Sequence, residues 1–193
     1  KQPIATTPRE RAEEAYRRAV QAAGQGRGLQ AQAELQAALR EDPGFTTGRL
    51  LLARMFAEQG RSAEAKALLG DGLAADAAQP ALALALARLH VERNELDEAI
   101  RVLRRSAPAA TGNAEFRGYL AGVLQKAGRA REAVDEYRGA LQLSPQTGVW
   151  WMGLGLSLEA DGRPGEAREA FLKARASGTL SPELAAFVDQ KLR

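Results

Sequence analysis

The sequence predicts an all-α fold of stacked helix pairs, and three observations carry that expectation. The chain is rich in Ala, Leu, Glu and Arg, side chains that lose little rotamer freedom in a helix. No stretch alternates apolar and β-branched residues as a half-buried strand would. A period of 34 residues runs through five consecutive windows, 12–45, 46–79, 80–113, 114–147 and 148–181, without insertion or deletion.

Taken in chain order, residues 1–7 read as a linker, and five helix pairs occupy residues 8–181. Thr7-Pro8-Arg9-Glu10 has the form of a capping box with Pro at the first helical position, so the first helix is expected to start at Pro8. Within each window the fifteenth residue is Gly26, Gly60, Asn94, Gly128 or Gly162, the types that tolerate a left-handed helix C-cap, so a turn is expected there. The eighth position is always small (Ala19, Ala53, Ala87, Ala121, Gly155), as are the twentieth (Ala31, Ala65, Ala99, Ala133, Ala167) and the twenty-seventh (Ala38, Gly72, Ser106, Ala140, Ala174). Small residues there let helix backbones approach closely. The twenty-fourth is always large: Leu35, Leu69, Leu103, Tyr137 and Phe171 fill the space between one pair and the next. Neither helix of a pair can bury its apolar face alone, so neighbours must stack.

Ser181-Pro182-Glu183 repeats the capping logic and opens a last helix over 182–193. Leu184, Phe187, Val188 and Leu192 form its apolar stripe, expected to cover the fifth pair.

The spacing resembles the tetratricopeptide repeat (TPR) family, whose signature places Trp, Leu, Gly, Tyr, Ala, Phe, Ala and Pro at fixed offsets. The fifth window carries Trp151, Leu154, Gly155, Leu158, Ala167, Phe171 and Ala174 at those offsets. The fourth carries Leu120, Ala121, Leu124, Ala133, Tyr137, Ala140 and Pro145. The first departs most, with Arg18 in place of Leu and Ala22 in place of the aromatic, and its edges are expected to shift. The resemblance implies a right-handed α-solenoid in which the first helix of each pair, helix A, lines a concave groove. It also implies a function in protein–protein interaction.

That groove supplies the candidate binding residues. The fifth position gives Tyr16, Leu50, Leu84, Gly118 and Met152, an apolar floor. The ninth gives Val20, Arg54, Arg88, Gly122 and Leu156. Arg54 and Arg88 have the fork geometry to grip a carboxylate or peptide carbonyls, or else they pair with Glu58 and Glu92 on their own helices. Gly118 and Gly122 would leave the wall bare, open to a ligand backbone or a bulky side chain. The Lys/Asn carboxylate clamp of the family's co-chaperone members is absent from these slots.

Other functional classes fare worse. Net charge is +3, and 27 basic residues are interspersed with 24 acidic ones, so no basic face marks a nucleic-acid binder. The chain has no cysteine, which removes disulfides, thiol chemistry and Cys-ligated zinc. His90 is the single histidine and falls where Phe56, Leu124 and Leu158 stand in other windows, so it reads as a packed residue. A triad or a His-based metal site would need partners the chain does not contain. Glu13-Glu14 and Asp97-Glu98 sit on first turns or outward faces of helices. Gly24-Gln25-Gly26-Arg27-Gly28 follows no strand and reads as a turn between helices. No catalytic residue, metal or cofactor is expected, and an enzyme, or the regulatory part of one, is the lesser alternative. Trp151 falls at a packed position, while Trp150 is expected against the second helix of the fourth pair or at the surface.

Residues 148–159, 176–184 and 187–192 carry a narrower resemblance, to the MshN family of bacterial proteins that build mannose-sensitive haemagglutinin (MSHA) type IV pili. It implies a periplasmic repeat domain preceded by a membrane anchor, with other pilus-assembly proteins as partners. The start through Lys1-Gln2-Pro3 reads as a linker cut from such a precursor. The alternative is a general repeat adaptor, periplasmic or cytoplasmic, unrelated to pili. No run of 18 apolar residues crosses a membrane within the chain.

Overall fold

The computed structural model describes residues 6–193, so most of the expected 1–7 linker lies outside the described residues. Among them are eleven α-helices, one 3-10 turn and no strand. Five helix pairs run in order: α1 (Pro8–Gly24) with α2 (Gly28–Glu41), α3 (Thr46–Glu58) with α4 (Ser62–Ala75), α5 (Pro80–Glu92) with α6 (Leu96–Ser106), α7 (Ala114–Lys126) with α8 (Ala130–Leu143), and α9 (Gly148–Ala160) with α10 (Pro164–Ala176). The last helix, α11, is Pro182–Lys191. No described helix is long and apolar enough to cross a membrane.

Each pair is joined by the same device. Gly26, Gly60, Asn94, Gly128 and Gly162 adopt φ of 73°, 75°, 59°, 75° and 75°. The next residue's N–H then reaches back to the helix: Arg27 to Ala22 O, Arg61 to Phe56 O, Glu95 to His90 O, Arg129 to Leu124 O and Arg163 to Leu158 O. With the bond of shorter sequence span from the αL residue itself, this is a Schellman motif repeated five times. It satisfies carbonyls that would otherwise end each helix unpaired. Asn94 shows that the position selects for left-handed backbone and not for glycine alone.

Two compact units divide the chain, residues 1–89 and 90–193, the boundary falling within α5. In the first, α1 packs on α2 and α3 on α4, with α2 against α3. Ala12, Ala15, Ala38 and Phe45 form a buried cluster joined by Tyr16 and Leu39. Tyr16 meets Phe45 edge to face, ring centroids 5.6 Å apart. The first pair keeps the register of the others and is neither frayed nor shifted as its departures from the signature led us to expect; α1 is only extended, starting at Pro8 as its capping box predicts, a turn ahead of its window. Thr7 caps it, its side chain accepting from the Glu10 N–H while the Glu10 carboxylate accepts from the Thr7 N–H. Arg18, in the leucine slot, turns outward and pairs with Glu34 at 2.9 Å.

In the second unit α7 packs on α8, α9 on α10, and α8 and α7 both on α9. Ala121, Ala133, Val134, Ala140 and Ala174 are fully buried, which is the close approach that small residues permit. The terminal helix α11 packs on α10 through Val188 and Leu192, both buried. Its stripe is narrower than its sequence implies, because Leu184 is only half-buried and Phe187 is exposed. Arg168 donates to the Leu192 carbonyl and Lys191 to Glu159, fastening the end of the helix.

Candidate protein-binding surface

The helix A residues are placed by the period, and each unit presents its own set. In the first unit, Leu50 and Leu84 are half-buried and stand one turn before Arg54 and Arg88, which are exposed. The Arg54 side chain is 69% exposed and lies 3.6 Å from Glu58, four residues on. Such an exposed pair contributes about 0–1 kcal/mol and is readily exchanged for another partner. Tyr16 belongs to the packed layer around Phe45 as much as to the surface. Val20, at the ninth position of the same helix, is exposed.

In the second unit, Met152 and Leu156 are half-buried on α9. Of the two glycines expected to leave a bare wall, Gly118 does not, whereas a Cβ at Gly122 would make only one ordinary contact. Gly118 is buried, and a Cβ placed there would fall within the indole of Trp150. Trp150 therefore packs on α7, the first helix of the fourth pair, and closes the slot. Gly122 faces the Tyr137 hydroxyl, 3.7 Å from where its Cβ would be. The Tyr137 ring lies over Gly153, and its hydroxyl donates to Gln125 Oε1 at 2.8 Å. Burial pushes this phenol up to about 12. Gly118 is thus a socket for an aromatic ring and is withdrawn as a ligand contact. The signal was present in the sequence as a glycine on α7 and a tryptophan at the start of α9, but only packing shows that they meet.

The fourth position of the repeat also reads differently in three dimensions. Arg49 lies over Gly72 and donates to Leu68 O at 2.9 Å and Pro43 O at 2.8 Å. Arg117 lies over Gly139 and pairs with Glu136 at 3.0 Å. Trp151 is half-buried and its Nε1 donates to Pro145 O at 2.7 Å, the counterpart of the Arg49 bond to Pro43. It is not a core residue: it lines a cleft of about 320 Å³ between α8 and α10, floored by Leu154 and Leu158. A like cleft of about 370 Å³ lies between α6 and α8 and contains Arg117.

His90 is half-buried and engaged by Glu95 across the α5–α6 turn. In the α3–α4 turn the same two places hold Phe56 and Arg61, the guanidinium 4.2 Å from the ring centroid. A hydrogen-bonded pair has replaced a cation–π pair. Arg61 with Glu64 and Arg163 with Glu166 recur at equivalent places. Each arginine's hydrogen bonds hold its glutamate below the usual carboxylate range. Among the described residues no group of three or more His, Asp or Glu is gathered as a metal site would be.

Comparison with known proteins accords with this architecture. The tetratricopeptide repeat family model matches residues 22–83 and 56–123, and a second model of the same description matches 120–182. No curated protein sequence matches significantly. Among solved structures, one of MamA (AMB-1) is 28% identical, with TM-score 0.69 over 91% of this chain and 97% of its own. YrrB, described as a TPR protein with an unusual peptide-binding site, is 18% identical, with TM-score 0.74 over 93% of this chain and 92% of its own. The fold class is that of the all-α TPR solenoids, and the chain belongs to the tetratricopeptide repeat family.

Proposed function

We propose that the chain is a non-enzymatic scaffold whose helix A surface holds an extended segment of a partner protein. Repeats of this family are generally scaffolds that bind proteins or peptides, and YrrB is described as having a peptide-binding site. The observation that carries the reading is on α3, where the largely exposed guanidinium of Arg54 stands one turn beyond the half-buried Leu50. Leu84 and Arg88 repeat that arrangement on α5. An apolar floor beside the exposed, weakly paired guanidinium of Arg54 suits a segment with aliphatic side chains and a carboxylate. Met152 and Leu156 supply apolar surface on α9 without a charge. The direct test is affinity capture by the natural full-length protein from its host, repeated with Arg54→Ala/Arg88→Ala. Partners should drop from the double variant, and an unchanged capture set retires the arginines as the site.

The narrower reading is a part in building MSHA-type pili on the periplasmic side of the inner membrane. Its support is the resemblance of residues 148–159, 176–184 and 187–192 to the MshN family. The same capture should then enrich pilus-assembly proteins, and a periplasm-active reporter fused after Arg193 should be active. Partners unrelated to pili, or a reporter active only in the cytoplasm, would leave a general adaptor and remove the pilus role.

A further inference from the structure

The cleft between α8 and α10 shares no residue with the helix A set of the proposed function, and its chemistry differs from theirs. Its floor is Leu154 and Leu158, its aromatic wall is Trp151, and Arg138, Glu169 and Lys173 stand on its rim. We propose that this cleft is a second docking point, which takes an arginine side chain from a partner protein.

Charge complementarity selects that occupant. The Trp151 ring already draws a cation, the Lys173 ammonium, which sits 4.6 Å from its centroid. Lys173 is exposed and on a flexible stem, so it can yield the ring to a competitor. The opposite charge is supplied by Glu169. Its neighbour Glu166 is engaged by Arg138 and Arg163, whereas among the described residues none bonds to the Glu169 carboxylate. In the fourth pair Arg117 spreads over Gly139 and pairs with Glu136. The equivalent places in the fifth pair hold Trp151, Lys173 and Ala170, so the carboxylate open to a cation in this cleft is Glu169, one residue earlier. A planar guanidinium stacks on an indole and forks to a carboxylate at once, which an ammonium does not.

The probe is N-acetyl-arginine amide, with the uncharged isostere N-acetyl-citrulline amide as its control, titrated into labelled protein while the two indole N–H signals are followed. Arginine should shift the Trp151 signal saturably and bind roughly threefold or more tighter than citrulline. The Trp150 signal, packed on Gly118, should stay in place. Glu169→Gln should erase the preference for arginine over citrulline. Lys173→Met, which removes the internal competitor, should tighten arginine binding roughly two- to fivefold. The proposal is overturned if no saturable shift appears, if citrulline binds as well as arginine, or if Lys173→Met weakens binding.

Discussion

At the fifth position of the repeat, the first unit carries Leu50 and Leu84, and the second carries Gly118. On a helical wheel the leucines are floor and the glycine is a hole. In the molecule Leu50 is half-buried and contributes its own surface, whereas the place of the missing side chain at Gly118 is taken by the indole of Trp150 from α9. Tyr137 does the same over Gly153. At Gly118 and Gly153 the second unit has exchanged a side chain on an A helix for an aromatic ring from a neighbouring helix. A glycine on a helix face therefore says that something lies close, and leaves open whether that is a ligand or the protein itself.

Filling the socket tests the contrast hardest. Gly118→Leu should cost roughly 3 kcal/mol or more in denaturant unfolding, because a rigid indole must be displaced. Ala133→Leu should cost roughly 1–3 kcal/mol, because the larger side chain overpacks a fully buried helix contact. A variant as stable as the parent at either site would show that the packing described is wrong. Emptying the socket comes next. Trp150→Ala should lose about 2–3 kcal/mol, below the range for a fully buried tryptophan, while Leu50→Ala loses about 1 kcal/mol. Equal losses would erase the distinction between the units.

Tyr137 sharpens the comparison through pH. Its phenol is raised in the folded state to about 12 from the ordinary 10.0, by burial. The neutral form is the one the fold accepts, so this contribution is complete below pH 10 and disappears as pH climbs toward 12. Its size is about 2–3 kcal/mol. The parent-minus-Tyr137→Phe difference in phenolate absorbance should rise with a midpoint near 12. A midpoint near 10 would mean that the ring is solvated. The smallest effect belongs to the first unit: Arg54→Ala/Arg88→Ala should move thermal unfolding by no more than about 0.5 kcal/mol, as expected for exposed side chains. A larger loss would make them structural.

Much of this was legible beforehand, and the reasons are local. Thr7-Pro8-Arg9-Glu10 specifies a helix start through bonds spanning three residues, and α1 begins there. The Gly and Asn turns depend on one φ angle each, and all five are left-handed. The buried alanines follow from counting by 34. The candidate surface was less legible. Arg54 stands exposed beside Glu58, as one of two readings had it. Trp151, read as core, instead walls a cleft, because a tryptophan at a helix edge can bury one face and still donate its N–H to Pro145 O. Trp150, expected against α8 or at the surface, packs on Gly118 of α7.

By itself the sequence determined the helical class, the length of the repeating unit, the places where the chain turns, and the small residues buried at helix contacts. Those properties depend on backbone conformation and periodicity along one helix or one hairpin. Only the tertiary structure decided which ring enters which glycine socket, that Arg49 and Arg117 lie across glycines on the following helix, and that a cleft opens beside Trp151. These depend on shape matching between side chains of different helices, where a side chain's neighbours are set by packing and not by spacing.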